Sequence, residues 1–127
     1  MRTIAVVIAT VDDDRRVRES VQSVLESAGY EAITFESAEA FLLSGALLIV
    51  SCVIADVRLP GMGGIELQRR IRRENATLPV IFITAHDDEA IRRQALRDGA
   101  AAFLVKPFDG DDLLERVARA TKGDTHG

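Results

Sequence analysis

Five residues in this sequence are of types that do chemistry together: Asp12 and Asp13, Asp56, Thr84 and Lys106. Three carboxylates brought into one crevice repel, and each resists ionising unless a cation joins them. A hard divalent ion with oxygen ligands answers that need. Mg2+, or Mn2+ in its place, keeps several waters and takes one or two carboxylates plus a phosphate oxygen. Lys106 supplies positive charge for an incoming phosphate, and the Thr84 hydroxyl can donate to a phosphate oxygen. Phosphoryl transfer suits this set, because its transition state spreads charge over the equatorial oxygens. A carboxylate attacking in line becomes an acyl phosphate, and Asp56 is the expected acceptor. The donor brings the phosphoryl group, so no histidine or cysteine nucleophile is required here.

That chemistry needs distant residues to meet. Short β-branched runs alternate with longer helical stretches, the pattern of a parallel sheet with crossover helices. Strands are expected over residues 4–11, Glu31–Phe35, Cys52–Asp56, Val80–Thr84 and residues 101–105. Four are apolar on consecutive positions, as strands covered on both faces should be, whereas Glu31–Phe35 alternates and belongs nearer an edge. Five helices fill the gaps. The first turns Val17, Val21, Val24, Leu25 and Ala28 inward and stops at Gly29. The second starts at the N-cap Ser37 and ends around Ser44 and Gly45. The third buries Leu67 and Ile71. The fourth, over 88–98, offers only Ile91, Ala95 and Leu96 to the core. The last begins near Asp109 and buries Leu113, Leu114, Val117 and Ala118.

Strict alternation of five strands and five helices implies an α/β, doubly wound, three-layer fold. Of the two common strand orders, the dinucleotide-binding one wants a glycine-rich turn after the first strand. Here that turn reads Val11-Asp12-Asp13-Asp14, where a pyrophosphate would meet three carboxylates. The flavodoxin-like order 2-1-3-4-5 is therefore expected. It makes strands one and three neighbours, with the topological switch point at their carboxyl ends. Asp12, Asp13 and Asp56 then share one crevice, and Thr84 and Lys106 close strands four and five on the same rim.

The 127 residues fit one domain, with 47% hydrophobic and 28% charged residues. The apolar run at the start is too short to span a bilayer and lacks a cleavage site, so a cytoplasmic protein without membrane contact is expected. Cys52, the one cysteine, sits in an apolar run and reads as a small buried hydrophobe. A net charge of −4 argues against direct nucleic-acid binding. Arg69, Arg70, Arg72 and Arg73 read as the solvated face of a helix, with a binding patch as the lesser alternative. Asp14 reads as the N-cap of the first helix, His86 as solvent-facing, and Met62 and Phe108 as packing residues.

Four blocks of this sequence resemble the signatures of response-regulator receiver domains. They are Val11-Asp12-Asp13-Asp14, Ile54-Ala55-Asp56-Val57-Arg58-Leu59-Pro60-Gly61-Met62, Ile83-Thr84-Ala85-His86 and Phe103-Leu104-Val105-Lys106-Pro107-Phe108. The stretches Ser37-Ala38-Glu39-Ala40-Phe41-Leu42 and Ile83-Thr84-Ala85-His86-Asp87-Asp88 further resemble the FixJ-like subgroup, whose members usually carry a C-terminal helix-turn-helix output domain. The resemblance implies a receiver domain over residues 1–121, with residues 122–127 a polar tail or the start of a linker.

The resemblance also implies roles. Asp56 is the phosphoacceptor, and Asp12 and Asp13 are the acidic pair that binds Mg2+, with Asp56 and the backbone carbonyl of Arg58 as further ligands. Thr84 and Lys106 contact the phosphoryl group. Thr84 and the aromatic Phe103 form the switch, Thr84 moving toward the phosphate and Phe103 turning inward. Arg58 and His86, two residues beyond Asp56 and Thr84, tune the dephosphorylation rate. Lys106-Pro107 is a bond that is often cis in this family. A sensor histidine kinase is the implied donor. The surface of the fourth helix, fifth strand and fifth helix would meet an output domain or effector, or a second copy in a phosphorylation-dependent homodimer, in the service of transcription regulation. The protein would not be an enzyme beyond self-catalysed phosphoryl acceptance and autodephosphorylation.

Leu47-Leu48-Ile49-Val50-Ser51 is more apolar than the family pattern, and either starts the third strand early or exposes an apolar patch. Rival readings fare worse. A haloacid-dehalogenase-type phosphatase wants a second aspartate where Arg58 stands, and a flavodoxin wants a hydroxyl-rich phosphate loop where Asp12 to Asp14 stand. A phosphorylation-independent interaction module with the same fold is the alternative reading.

Overall fold

Runs of consecutive apolar residues become strands here because each has a helix layer on both sides. The computed structural model describes residues 6–122. In chain order the elements are β1 (Val7–Val11), α1 (Arg15–Ser27), β2 (Glu31–Phe35), α2 (Ala38–Ser44), a 3-10 turn (Ala46–Leu48), β3 (Cys52–Asp56), α3 (Gly64–Glu74), β4 (Val80–Thr84), α4 (Glu89–Arg97), β5 (Ala102–Val105) and α5 (Gly110–Lys122). All strand pairs are parallel and the order is β2-β1-β3-β4-β5. The fold is the doubly wound, flavodoxin-like one that the alternating pattern and the acidic first turn imply.

Side chains alternate across each strand, so two cores form. On one face Ile8, Ile54, Ile81 and Leu104 pack with Val21 and Leu25 of α1 and Leu113 and Val117 of α5. On the other, Val11, Val53 and Phe82 pack with Phe41 of α2, Leu67 and Ile71 of α3 and Ala95 of α4. β3 and β4 are buried throughout, while the outer strand β2 is only partly covered. Asp14 caps α1, its side chain accepting from the Arg16 N–H, and Ser37 caps α2 through the Ala40 N–H. The side chain of Asp109 accepts from the Asp111 N–H just ahead of α5.

Several expectations shift. β1 begins at Val7, and residues 4 and 5 of the expected strand lie outside the described residues, as do residues 123–127 of the expected tail. β5 starts at Ala102; Ala101 is exposed and precedes the ladder, its N–H bonding the Val80 carbonyl. Ala28 is exposed because it falls just past the last turn of α1. Ala118 is exposed because the buried stripe of α5 runs Leu113, Val117, Thr121 at four-residue steps, and Ala118 sits a third of a turn away. Leu96 is 40% exposed for the same reason, beside the buried Ala95. The apolar anchors of α4 are thus Ala95 and the partly buried Ile91, and Gln68 Nε2 of α3 donates to the Ala95 carbonyl at 3.1 Å.

The apolar turn before β3 exposes a patch and does not lengthen the strand. Leu47 and Val50 point into the core, while Leu48 is 89% and Ile49 65% exposed, beside Leu43 at 88%.

Candidate functional site

Register, rather than sequence proximity, assembles the site. Val11 of β1 pairs with Ala55 of β3, so the next residues, Asp12 and Asp56, leave the sheet side by side. Asp56 pairs with Ile83, and Thr84 with Val105, which puts Thr84 and Lys106 on the same rim. The Lys106 N–H bonds the Thr84 carbonyl at 2.6 Å.

The side chains converge as the register implies. Asp12, Asp13 and Asp56 each present a carboxylate oxygen within 4.8 Å of the others. Lys106 Nζ reaches across to Asp12 Oδ2 and Asp56 Oδ2, 3.0 Å from each. Asp12 is fully buried and Asp56 nearly so, whereas Asp13 is exposed. The Arg58 N–H donates to Asp56 Oδ1 at 3.0 Å, holding that carboxylate in place and setting the Arg58 backbone against it. The Thr84 hydroxyl accepts from the His86 N–H at 3.2 Å, and the His86 side chain faces solvent.

The charges do not balance. Three carboxylates meet one ammonium, leaving two negative charges in excess. Burial pushes the Asp12 carboxyl above its usual range, outweighing the Asp14 N–H and the Lys106 ammonium that favour the charged form. Burial also works against the Lys106 charge, but hydrogen bonds and attraction from Asp56 and Asp12 prevail and raise its pKa. The lysine is held charged and Asp12 is the strained partner. A divalent cation fits this donor set: the available ligands are oxygens only, and added positive charge relieves Asp12.

Phe103 pairs with Phe82, one pleat below the Thr84–Val105 pair, so Thr84 and Phe103 share the face that α4 covers. The Phe103 ring is 9% exposed and lies 6.3 Å from that of Phe82. It stands at the edge of the core beneath α4, beside Thr84's face of the sheet. The Lys106-Pro107 peptide is cis.

Two supporting residues escaped the sequence reading. Arg18 Nη1 donates to the Asp12 carbonyl at 2.7 Å, and Glu39 Oε2 accepts from the Met62 N–H at 2.9 Å. Nothing in the local sequence marks either, because each partner lies in another element or turn. Beside Lys106 a hollow of about 280 Å³ opens between α1 and the segment leading to α5, lined by Arg16, Val17, Ser20, Val24 and Phe108. Among the described residues no helix is long and apolar enough to cross a membrane.

Comparison with known proteins agrees with this geometry. The model of the response regulator receiver domain matches residues 8–118. Nodulation protein W of Bradyrhizobium diazoefficiens is 39% identical over 118 residues, 93% of this chain and 52% of that protein. Transcriptional regulatory protein FixJ of the same organism is 37% identical over 115 residues, 91% of this chain and 56% of that protein. The chain thus spans about half the length of these relatives. The solved structure of the BeF3-activated DrrB receiver domain superposes with a TM-score of 0.86 at 31% identity, covering 94% of this chain and 99% of that one. With its fold, its strand order and most of its length accounted for in this way, the chain belongs to the receiver domain family of two-component response regulators.

Proposed function

We propose that Asp56 accepts a phosphoryl group from a sensor histidine kinase and that the modification changes which partner the domain holds. The convergence of three carboxylates and the Lys106 ammonium at the carboxyl ends of β1, β3 and β5 carries this reading. An Asp56 oxygen attacks phosphorus in line, the bond from phosphorus to the donor breaks, and an acyl phosphate forms. Lys106 moves its ammonium from two carboxylates onto phosphoryl oxygens, and the Thr84 hydroxyl exchanges its bond with the His86 N–H for one to the phosphoryl group. Asp12, Asp13, Asp56 and the Arg58 carbonyl would hold Mg2+ or Mn2+. Such an ion supplies the Lewis acid that spreads the negative charge developing on the phosphoryl oxygens. The hollow beside Lys106 admits the donor residue.

The phosphoryl group adds about −1.5 to −2 of charge and new acceptor oxygens. Thr84 and Phe103 relay this to α4, whose single buried residue makes it the helix least costly to displace. The α4-β5-α5 surface then changes its affinity for an output domain, an effector or a second copy. The protein turns over no separate substrate; it accepts the phosphoryl group and hydrolyses it, at a rate tuned by Arg58 and His86. Its place is the cytoplasm, and its relatives' names point to transcription regulation.

The test is intact mass after incubation with acetyl phosphate and Mg2+, beside an Asp56→Asn variant. A phosphate-sized gain in the parent only, lost without Mg2+ or in base, is expected. No gain in either, with no beryllofluoride binding, would leave a phosphorylation-independent interaction module.

A further inference from the structure

Four arginines on the helices of this chain are met by a carboxylate one turn away on the same helix. Arg15 pairs with Glu19, Arg92 with Glu89, Arg116 with Asp112 and Arg119 with Glu115. The groove between α3 and α4 departs from this. Arg69, Arg72 and Arg73 of α3 and Arg97 of α4 line it together with Asp98, in a volume of about 410 Å³. Arg93 lines its continuation along α4. Asp98 stands 3.7 Å from Arg69 Nε, and among the described residues Arg72, Arg73, Arg93 and Arg97 are in no ion pair.

Arginines in the last turn of a helix are favoured by the helix dipole alone. That accounts for Arg72 and Arg73 on α3, and for Arg97 on α4, each taken separately. It does not account for two such sets facing one groove, where like charges repel. Gly99 adds a built feature: it has a φ of +100°, and a Cβ there would collide with the Arg72 guanidinium. The absence of a side chain at Gly99 therefore leaves room for Arg72 to lie against the chain at the groove's edge.

We propose that this groove binds a compact oligophosphate, either an inorganic one or the phosphate chain of a nucleoside polyphosphate. Guanidinium forks match phosphate oxygens two at a time. The rows Arg69 to Arg73 and Arg93 to Arg97 each extend one turn, about 6 Å. That length suits linked phosphates better than an extended acidic peptide. No aromatic or large apolar residue lines the groove, so a nucleoside would project into solvent. α3 and α4 run back from the rim that carries Asp56, so their last turns lie at the opposite edge of the sheet. The groove therefore lies away from the residues that accept the phosphoryl group.

Backbone amide shifts would be followed by NMR as sodium triphosphate is added without Mg2+, then as ATP is added at matched ionic strength. Saturable shifts confined to residues 69–73 and 93–99 are expected. The Arg72→Gln/Arg97→Gln variant should weaken binding by about tenfold or more, while Arg116→Gln/Arg119→Gln, with the same charge change, should leave it within about twofold. Equal affinities for the two ligands would assign recognition to the phosphates, and tighter ATP binding would add a nucleoside contact. Circular dichroism would confirm that both variants fold. Absence of saturation by about 1 mM triphosphate, equal weakening by both variants, or saturation by an acidic peptide alone would overturn the proposal.

Discussion

The ammonium of Lys106 lies 3.0 Å from Oδ2 of Asp56, and the same nitrogen lies 3.0 Å from Oδ2 of the fully buried Asp12. One cation thus compensates two carboxylates while a third, Asp13, stands close by. Removing it leaves buried acceptors without a donor, which costs about 1–3 kcal/mol. Lys106→Met is therefore expected to lose that much stability in urea denaturation at neutral pH with EDTA present. Mg2+ should restore part of the loss, because added positive charge relieves the same carboxylates. Equal stability of parent and variant in EDTA would mean that the ammonium does not compensate the cluster in solution.

Glu39 reaches from α2 to the loop between β3 and α3, where its Oε2 accepts the Met62 N–H. Gly61, at φ +75°, lies so close beneath it that a Cβ there would strike the carboxylate. The Met62 bond holds the Glu39 carboxyl below its usual range. A carboxylate whose folded pKa is lowered contributes its hold above the unfolded value of 4.5 and loses it as pH falls through the folded value. The Met62 amide shift is therefore expected to titrate below pH 4.5 and to stop doing so in Glu39→Gln. At neutral pH that variant should exchange the Met62 amide several times faster. An amide that neither titrates nor speeds up would show the bond to be absent in solution. The loop includes Arg58, whose N–H bonds Asp56, so a looser loop should also weaken Mg2+ binding.

Thr84 and Phe103 share the α4-facing side of the sheet, and α4 has one buried residue. If Asp56 is the acceptor, Thr84→Ala should still gain phosphate, since attack and metal binding use other residues. It should lose the change in hydrogen exchange over α4 that phosphorylation brings in the parent, while Thr84→Ser keeps it. Unchanged exchange of α4 in the parent on phosphorylation would remove α4 as the moving element.

Much of this site was readable from the chain because its residues close apolar runs. Asp12, Asp56, Thr84 and Lys106 each follow hydrophobic strand residues, and the acidic turn at Asp12 to Asp14 excluded the rival strand order. What stayed hidden depends on partners remote in sequence or on rotation about a helix axis. Glu39 in the first turn of α2 is sufficiently explained by the helix dipole, and nothing local announces Met62. Leu96 and Ala118 each neighbour a truly buried residue, and in short helices one step of 100° separates core from solvent. The charge excess at Asp12 was legible, but its burial, and so its strain, was not.

The turn before β3 shows the same ambiguity in a form that mutation resolves. Leu47 and Leu48 are chemically identical neighbours, yet Leu47 is 8% exposed and Leu48 89%, because the 3-10 turn swings successive side chains about 120° apart. Leu47→Ala should cost about 2–3 kcal/mol, at the low end for a core leucine since it lies at the core's edge. Leu48→Ser and Ile49→Ser should each stay within about 0.5 kcal/mol of the parent, as exposed substitutions do. Thermal or urea denaturation of the three variants separates these outcomes directly. A loss at Leu48 or Ile49 comparable to that at Leu47, observed in a monomeric sample, would mean the turn packs inward in solution. A loss that grows with protein concentration in the parent's favour would instead mean that the patch is covered by a second copy, which stabilises the folded state by mass action.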